Sequence, residues 1–114
     1  MKKIPLLFIA LSFYVSASGQ QIWLDGEDDC GTWISIRKNK VAAVAYEHYV
    51  LGLMNGLSVG SQMEFWKAKG TKLSREQVFF WMDNYCAKNP LSSPTLGGFE
   101  LMNEQTSGRF NKRP

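Results

Sequence analysis

The chain has 114 residues, with 13 basic and 10 acidic side chains, a formal net charge of +3 and one histidine. That length allows a single modest hydrophobic core, and a lone histidine excludes a histidine-rich metal centre. Five of the positives sit at the ends, so the body from 20 to 108 holds 8 basic and 10 acidic groups and gives no support for nucleic-acid binding.

The chain opens as an export signal. Lys2 and Lys3 form a short positive region, Ile4 to Val15 is almost wholly apolar, and Ser16, Ala17, Ser18 and Gly19 offer cleavage after Ala17 or Gly19. The apolar run is short for a bilayer, and nothing later is long and apolar enough for a second anchor. The expectation is a soluble periplasmic or secreted protein, with a signal at 1–19, one helical domain at 20–108 and a basic flexible tail at 109–114. Gln20 to Gly26 has no helical period and reads as an extended leader, whose Ile22, Trp23 and Leu24 are apolar enough to pack onto the body or a partner. The acidic run Asp25 to Asp29 invites a calcium loop, but its glycine is misplaced and no glutamate follows at the needed distance. Asp28 or Asp29 as a helix cap is the better reading.

A first helix is expected from about Cys30 to Asn39, where Cys30, Trp33, Ile34 and Arg37 recur at three and four. The central helix spans Val41 to Gly60 and is apolar almost all round, apart from Glu47, His48 and Asn55. Gly52, Gly56 and Gly60 share one of its faces. A glycine costs about 1 kcal/mol against alanine inside a helix, so the three predict a ridge that another element approaches closely. The spacing is similar to a membrane GxxxG pattern, but the polar interruptions favour packing within a soluble bundle.

Ser61 to Leu73 places Met63, Phe65 and Trp66 beside Lys67, Lys69 and Lys72, with Gly70 and Thr71 marking a loop. Tryptophan is enriched among residues that dominate interfaces, and clustered positive charge steers an acidic partner. Phe65, Trp66, Lys67, Lys69 and Lys72 are therefore the candidate partner-binding residues, the alternative being that Trp66 folds over the bundle as a lid. Ser74 caps the next helix, with Gln77 at the capping-box position. That helix carries Val78, Phe79, Trp81, Met82, Tyr85 and Cys86 and stops at Asn89-Pro90. Ser93-Pro94 starts the last helix, with Leu96, Phe99 and Leu101 for a buried side and Gly97-Gly98 weakening it. Thr106 to Pro114 reads as a frayed tail.

Two cysteines in an exported protein pair, which here ties the first helix to the third around the central one. Closing a loop of that length contributes roughly 4 kcal/mol in the loop-entropy model. The predicted fold is all-α, a small bundle of about four helices with one disulfide, Cys30 to Cys86, linking the first and third. The rival role for Cys86, a nucleophile activated by His48, needs a reduced thiol. His48 beside Glu47 reads as a surface or satisfied core residue. Asp83 and Asn84 read as a helix-face hydrogen-bonding pair near the bridge rather than as catalytic groups. No phosphate loop or nucleophile elbow appears, so neither an enzyme nor a cofactor is expected.

At Cys30 to Trp33, Tyr49 to Gly56 and Trp81 to Leu91 (WMDNYCAKNPL), the chain resembles the Rap/Tai-type immunity family. Its members are small periplasmic helical proteins with two cysteines, a glycine-containing second helix and an aromatic-rich third ending in a Cys-x-x-Asn/His-Pro-type stop. Many neutralise secreted amidases or other effectors by binding them. The resemblance covers Cys30 to about Leu101 and departs in the last helix, where Gly97-Gly98 replaces an alanine-rich run. It implies a protein partner, a secreted effector enzyme or a secretion or plasmid-transfer component, with a homodimer as a further option. The acid-stress chaperone HdeA is similar in outline, though it lacks the Trp-x-Asp-x-Tyr-Cys segment.

Overall fold

The computed structural model describes residue 25 and residues 28–113. The expected export signal at 1–19 and, apart from residue 25, the expected leader at 20–26 lie outside the described residues. Four α-helices follow one another: α1 (Cys30–Ile36), α2 (Lys40–Ser61), α3 (Arg75–Lys88) and α4 (Pro94–Gln105), then a 3-10 turn at Phe110–Lys112. Among the described residues there is no strand. Helix α1 packs on α2 and α3, and α4 packs on the same two helices.

Each start is set by a side-chain oxygen that takes up free backbone N–H groups. The Asp29 carboxylate accepts from the Thr32 N–H at 2.7 Å and begins α1. This hydrogen bond holds its pKa below the usual aspartate value. Asn39 Oδ1 accepts from Val41 and Ala42, each at 3.1 Å, and begins α2. Helix α1 therefore ends at Ile36 rather than Asn39, because Asn39 caps the following helix. Ser74 and Gln77 form the expected capping box of α3, and Ser93 caps α4 with Pro94 in its first turn. Helix α2 closes at Gln62, which adopts a left-handed φ of 57°. Helix α3 stops before Pro90, with Asn89 Nδ2 donating to the Tyr85 carbonyl at 2.9 Å.

The Cys30–Cys86 disulfide joins α1 to α3, with Cα atoms 4.8 Å apart. It sits in a core that includes Trp33, Val50, Met54, Phe65, Val78, Met82, Leu101, Met102 and Phe110. Among the described residues there is no free cysteine, and a buried bridge of this kind is compatible with an oxidising compartment. No helix of the described residues is long and apolar enough to cross a membrane.

Two expectations are corrected here. The close approach between helices is not at the α2 glycines but at Gly97 and Gly98 of α4. A Cβ on Gly97 would lie 2.6 Å from Met82 Sδ and 2.7 Å from Tyr85 Cδ1, and one on Gly98 would lie 2.6 Å from Leu53 Cδ2. These two glycines let α4 wedge against α3 and α2, whereas a Cβ on Gly52, Gly56 or Gly60 would meet nothing within 4 Å. The second correction is at 109–113, which is not a free tail. Thr106 Oγ1 donates to the Met102 carbonyl at 2.9 Å and accepts from the Phe110 N–H at 3.1 Å. That turn drops Phe110 into the core beside Phe99, and the Arg113 guanidinium covers the Phe110 ring at 3.7 Å.

Candidate partner-binding surface

The segment between α2 and α3 folds back on the bundle. Its Met63 N–H reaches the Ser58 carbonyl at 3.2 Å, and its Leu73 N–H reaches the Trp66 carbonyl at 2.8 Å. Phe65 is fully buried. It is a core residue that pins the loop, which removes it from the candidate surface. Trp66 is half-buried, packs edge-on against Phe65 at 5.0 Å and donates from Nε1 to Asn55 Oδ1 at 2.7 Å. It therefore covers the bundle as a lid and still shows part of its ring.

Lys67, Lys69 and Lys72 are all exposed. Arg37 makes both of the ion pairs seen between described residues, and none of the three lysines is paired with a described acidic residue. Trp66 and Lys72 share a groove of about 300 Å³ with Leu51, Asn55, Leu73 and Arg75. Arg75 is likewise exposed and outside the ion pairs. The loop thus holds a cationic rim beside a partly apolar groove on a support fixed by Phe65 and the Trp66–Asn55 hydrogen bond. Such a surface needs little ordering on binding.

Asp83 is structural, and it acts without Asn84. Its Oδ1 accepts from the Trp33 indole at 2.8 Å and from Arg37 Nε at 2.9 Å, and its Oδ2 accepts from Arg37 Nη2 at 3.0 Å. Arg37 also pairs with Glu47, so one guanidinium joins α1, α2 and α3. The Asp83 hydrogen bond raises the Arg37 pKa, with the Asp83 and Glu47 charges adding to it. The guanidinium lies 5.6 Å from the Trp33 ring centroid and 5.5 Å from that of Phe79. Asn84 is exposed, as is His48. Cys86 is bonded to Cys30 and has no free thiol to offer as a nucleophile. Among the described residues no group of three or more His, Cys, Asp or Glu side chains is placed to hold a metal ion.

The outer face of α2 went unrecognised in the sequence. Val41 and Val59 are 86% and 80% exposed, with Gly52, Gly56 and Gly60 on the same side. Comparison with protein-family models, curated proteins and solved structures finds no match to the chain.

Proposed function

We propose that this is a small exported, non-enzymatic protein that neutralises a secreted effector by binding it directly, in the manner the Rap/Tai-type resemblance implies. One observation carries the reading: Lys67, Lys69 and Lys72 stand unpaired on a loop that Phe65 anchors in the core. Unpaired like charges held close together repel one another, and an acidic partner surface relieves that repulsion and gains association rate. Trp66 and the groove beside it supply the apolar contact that charge alone lacks.

The test is a charge reversal. Lys67→Glu, Lys69→Glu and Lys72→Glu together should leave helicity and melting unchanged, since all three side chains are exposed. The same variant should slow association with the effector and abolish protection of cells that export it. An acid chaperone would behave differently: it would unfold in strong acid and then hold many denatured clients. Protection by the triple variant equal to that of the parent would remove the proposed surface.

A further inference from the structure

The groove beside Trp66, of about 300 Å³, has one-sided polar chemistry: Lys72 and Arg75 line it, and no carboxylate does. Four other grooves on the described surface each have an acidic wall residue, Asp28 in two of them, Glu104 in a third, and Glu47 with Glu76 in a fourth. Neither Lys72 nor Arg75 is ion-paired with a described residue. The third polar side chain in the groove is Asn55. Its Oδ1 accepts from the Trp66 indole at 2.7 Å, which fixes the orientation of the amide and leaves Nδ2 to donate. The side-chain groups left for an occupant are thus all donors. Leu51, Trp66 and Leu73 supply the apolar wall. Leu51 is 8% exposed, Trp66 and Leu73 pack against the core, and the Leu73 N–H is held by the Trp66 carbonyl at 2.8 Å. A fitting occupant therefore carries an apolar side chain and, close to it, a group that only accepts. An ionised carboxylate is such a group, and a guanidinium can take it with two parallel hydrogen bonds.

We propose that this groove takes the C-terminal residue of the partner protein, its apolar side chain against Leu51, Trp66 and Leu73 and its terminal carboxylate on Lys72, Arg75 and Asn55 Nδ2. This recognition rests on the reading of the loop as the partner surface. One carbon carries both an apolar side chain and a carboxylate only at a chain end. Within an extended segment neighbouring side chains point to opposite faces, and same-face neighbours stand about 7 Å apart. A groove of about 300 Å³ lies at the small end for binding sites and suits a single residue. Lys67 and Lys69 are exposed outside the groove, where they meet acidic side chains upstream of that terminus.

The test is nuclear magnetic resonance of the isotopically labelled protein with acetylated pentapeptides ending in valine, leucine, methionine or phenylalanine. Each is added to millimolar concentration as the free acid and as the carboxamide. Acetate alone and an amidated peptide with an internal glutamate beside a leucine serve as comparisons. The free acids should shift the Asn55 side-chain amide, the Trp66 indole N–H and the Leu73 methyls, with the carboxamides weaker by about ten-fold or more. Lys72→Gln with Arg75→Gln, both at exposed positions, should keep the fold and remove that difference. Asn55→Asp keeps an acceptor for the Trp66 indole but sets a negative charge against the carboxylate, so it should weaken the free acids and spare the carboxamides. Equal binding of acid and carboxamide overturns the proposal, as does an absence of shifts with every peptide. Acetate that reproduces the shifts makes this a bare anion site and overturns it. So does an internal-glutamate peptide that binds as tightly as the acids, which assigns the groove to an acidic segment. Failed peptide binding, while the triple charge reversal still abolishes protection, overturns the C-terminal contact alone; protection that survives the reversal removes both.

Discussion

Replacing glycines one at a time by alanine distinguishes the two glycine-bearing faces, and the expected signs are opposite. At Gly52 and Gly56 a new Cβ meets nothing within 4 Å, so only helix propensity and chain entropy change. Each substitution should stabilise by about 0.5–1 kcal/mol. At Gly97 the same gain is opposed by overlap with Met82 Sδ and the Tyr85 ring. Met82 can turn aside, but Tyr85 cannot. Its ring is stacked on Trp81 with an interplanar angle of 9°, and its hydroxyl is bonded to Ser92 Oγ at 2.7 Å. Overpacking costs about 1–3 kcal/mol, which leaves Gly97→Ala destabilised by about 1 kcal/mol net. For a domain of this size that lowers the melting temperature by roughly 4–8 °C. Gly98→Ala should fall between, because it presses on the ends of Leu53 and Met54, which can rotate. Thermal denaturation followed by circular dichroism reads all four variants under one condition. A Gly97→Ala protein that melts higher than the parent, or a Gly52→Ala protein that melts lower, would refute the assignment of the close approach to α4.

Asp83→Ala strands the fully buried Trp33 indole N–H and frees Arg37; it should cost about 1–3 kcal/mol in urea unfolding, and Arg37→Lys should not preserve the two-pronged contact. Phe110→Ala empties a core position that the sequence places in a tail, and it should destabilise by about 3 kcal/mol, whereas a free tail would show no change in the unfolding midpoint. Trp66→Ala loses the Asn55 hydrogen bond and a half-buried ring, so it should lower stability by about 2 kcal/mol and weaken effector binding as well, read by melting and titration on one sample. The lowered Asp29 pKa adds stability that is present above the unfolded value near pH 3.8 and is lost as pH falls through the folded value; Asp29→Asn should flatten that part of a stability-against-pH curve.

Local signals carried much of the fold. Ser74 with Gln77, Ser93 with Pro94, and Asn89 before Pro90 placed both ends of α3 and the start of α4 correctly, because caps and proline act through neighbouring backbone groups. The disulfide pairing followed from there being only two cysteines. Glycine was harder to read. Gly52, Gly56 and Gly60 show the regular spacing and Gly97-Gly98 does not, yet which face of a helix meets a neighbour depends on tertiary packing that spacing does not report. Phe110 was obscured by the basic residues around it, although Arg113 over its ring and Thr106 beneath its N–H explain why a lone aromatic there is buried. In the candidate surface the lysines were legible as a cluster. The division of labour between Phe65 and Trp66, adjacent in sequence, was not, since only the turn of the loop decides which ring faces inward. The Arg37–Asp83–Trp33 junction spans two helices, and no short-range pattern in the sequence announces it.

The central claim is that the Lys67 to Lys72 loop binds an acidic protein partner. It is tested most directly by calorimetric titration of the protein against secreted enzymes encoded in its gene neighbourhood, at low and high salt. The account predicts one-to-one binding that weakens as salt rises and is lost in the folded Lys67→Glu, Lys69→Glu, Lys72→Glu variant. Binding that is indifferent to salt and survives the triple reversal would contradict it.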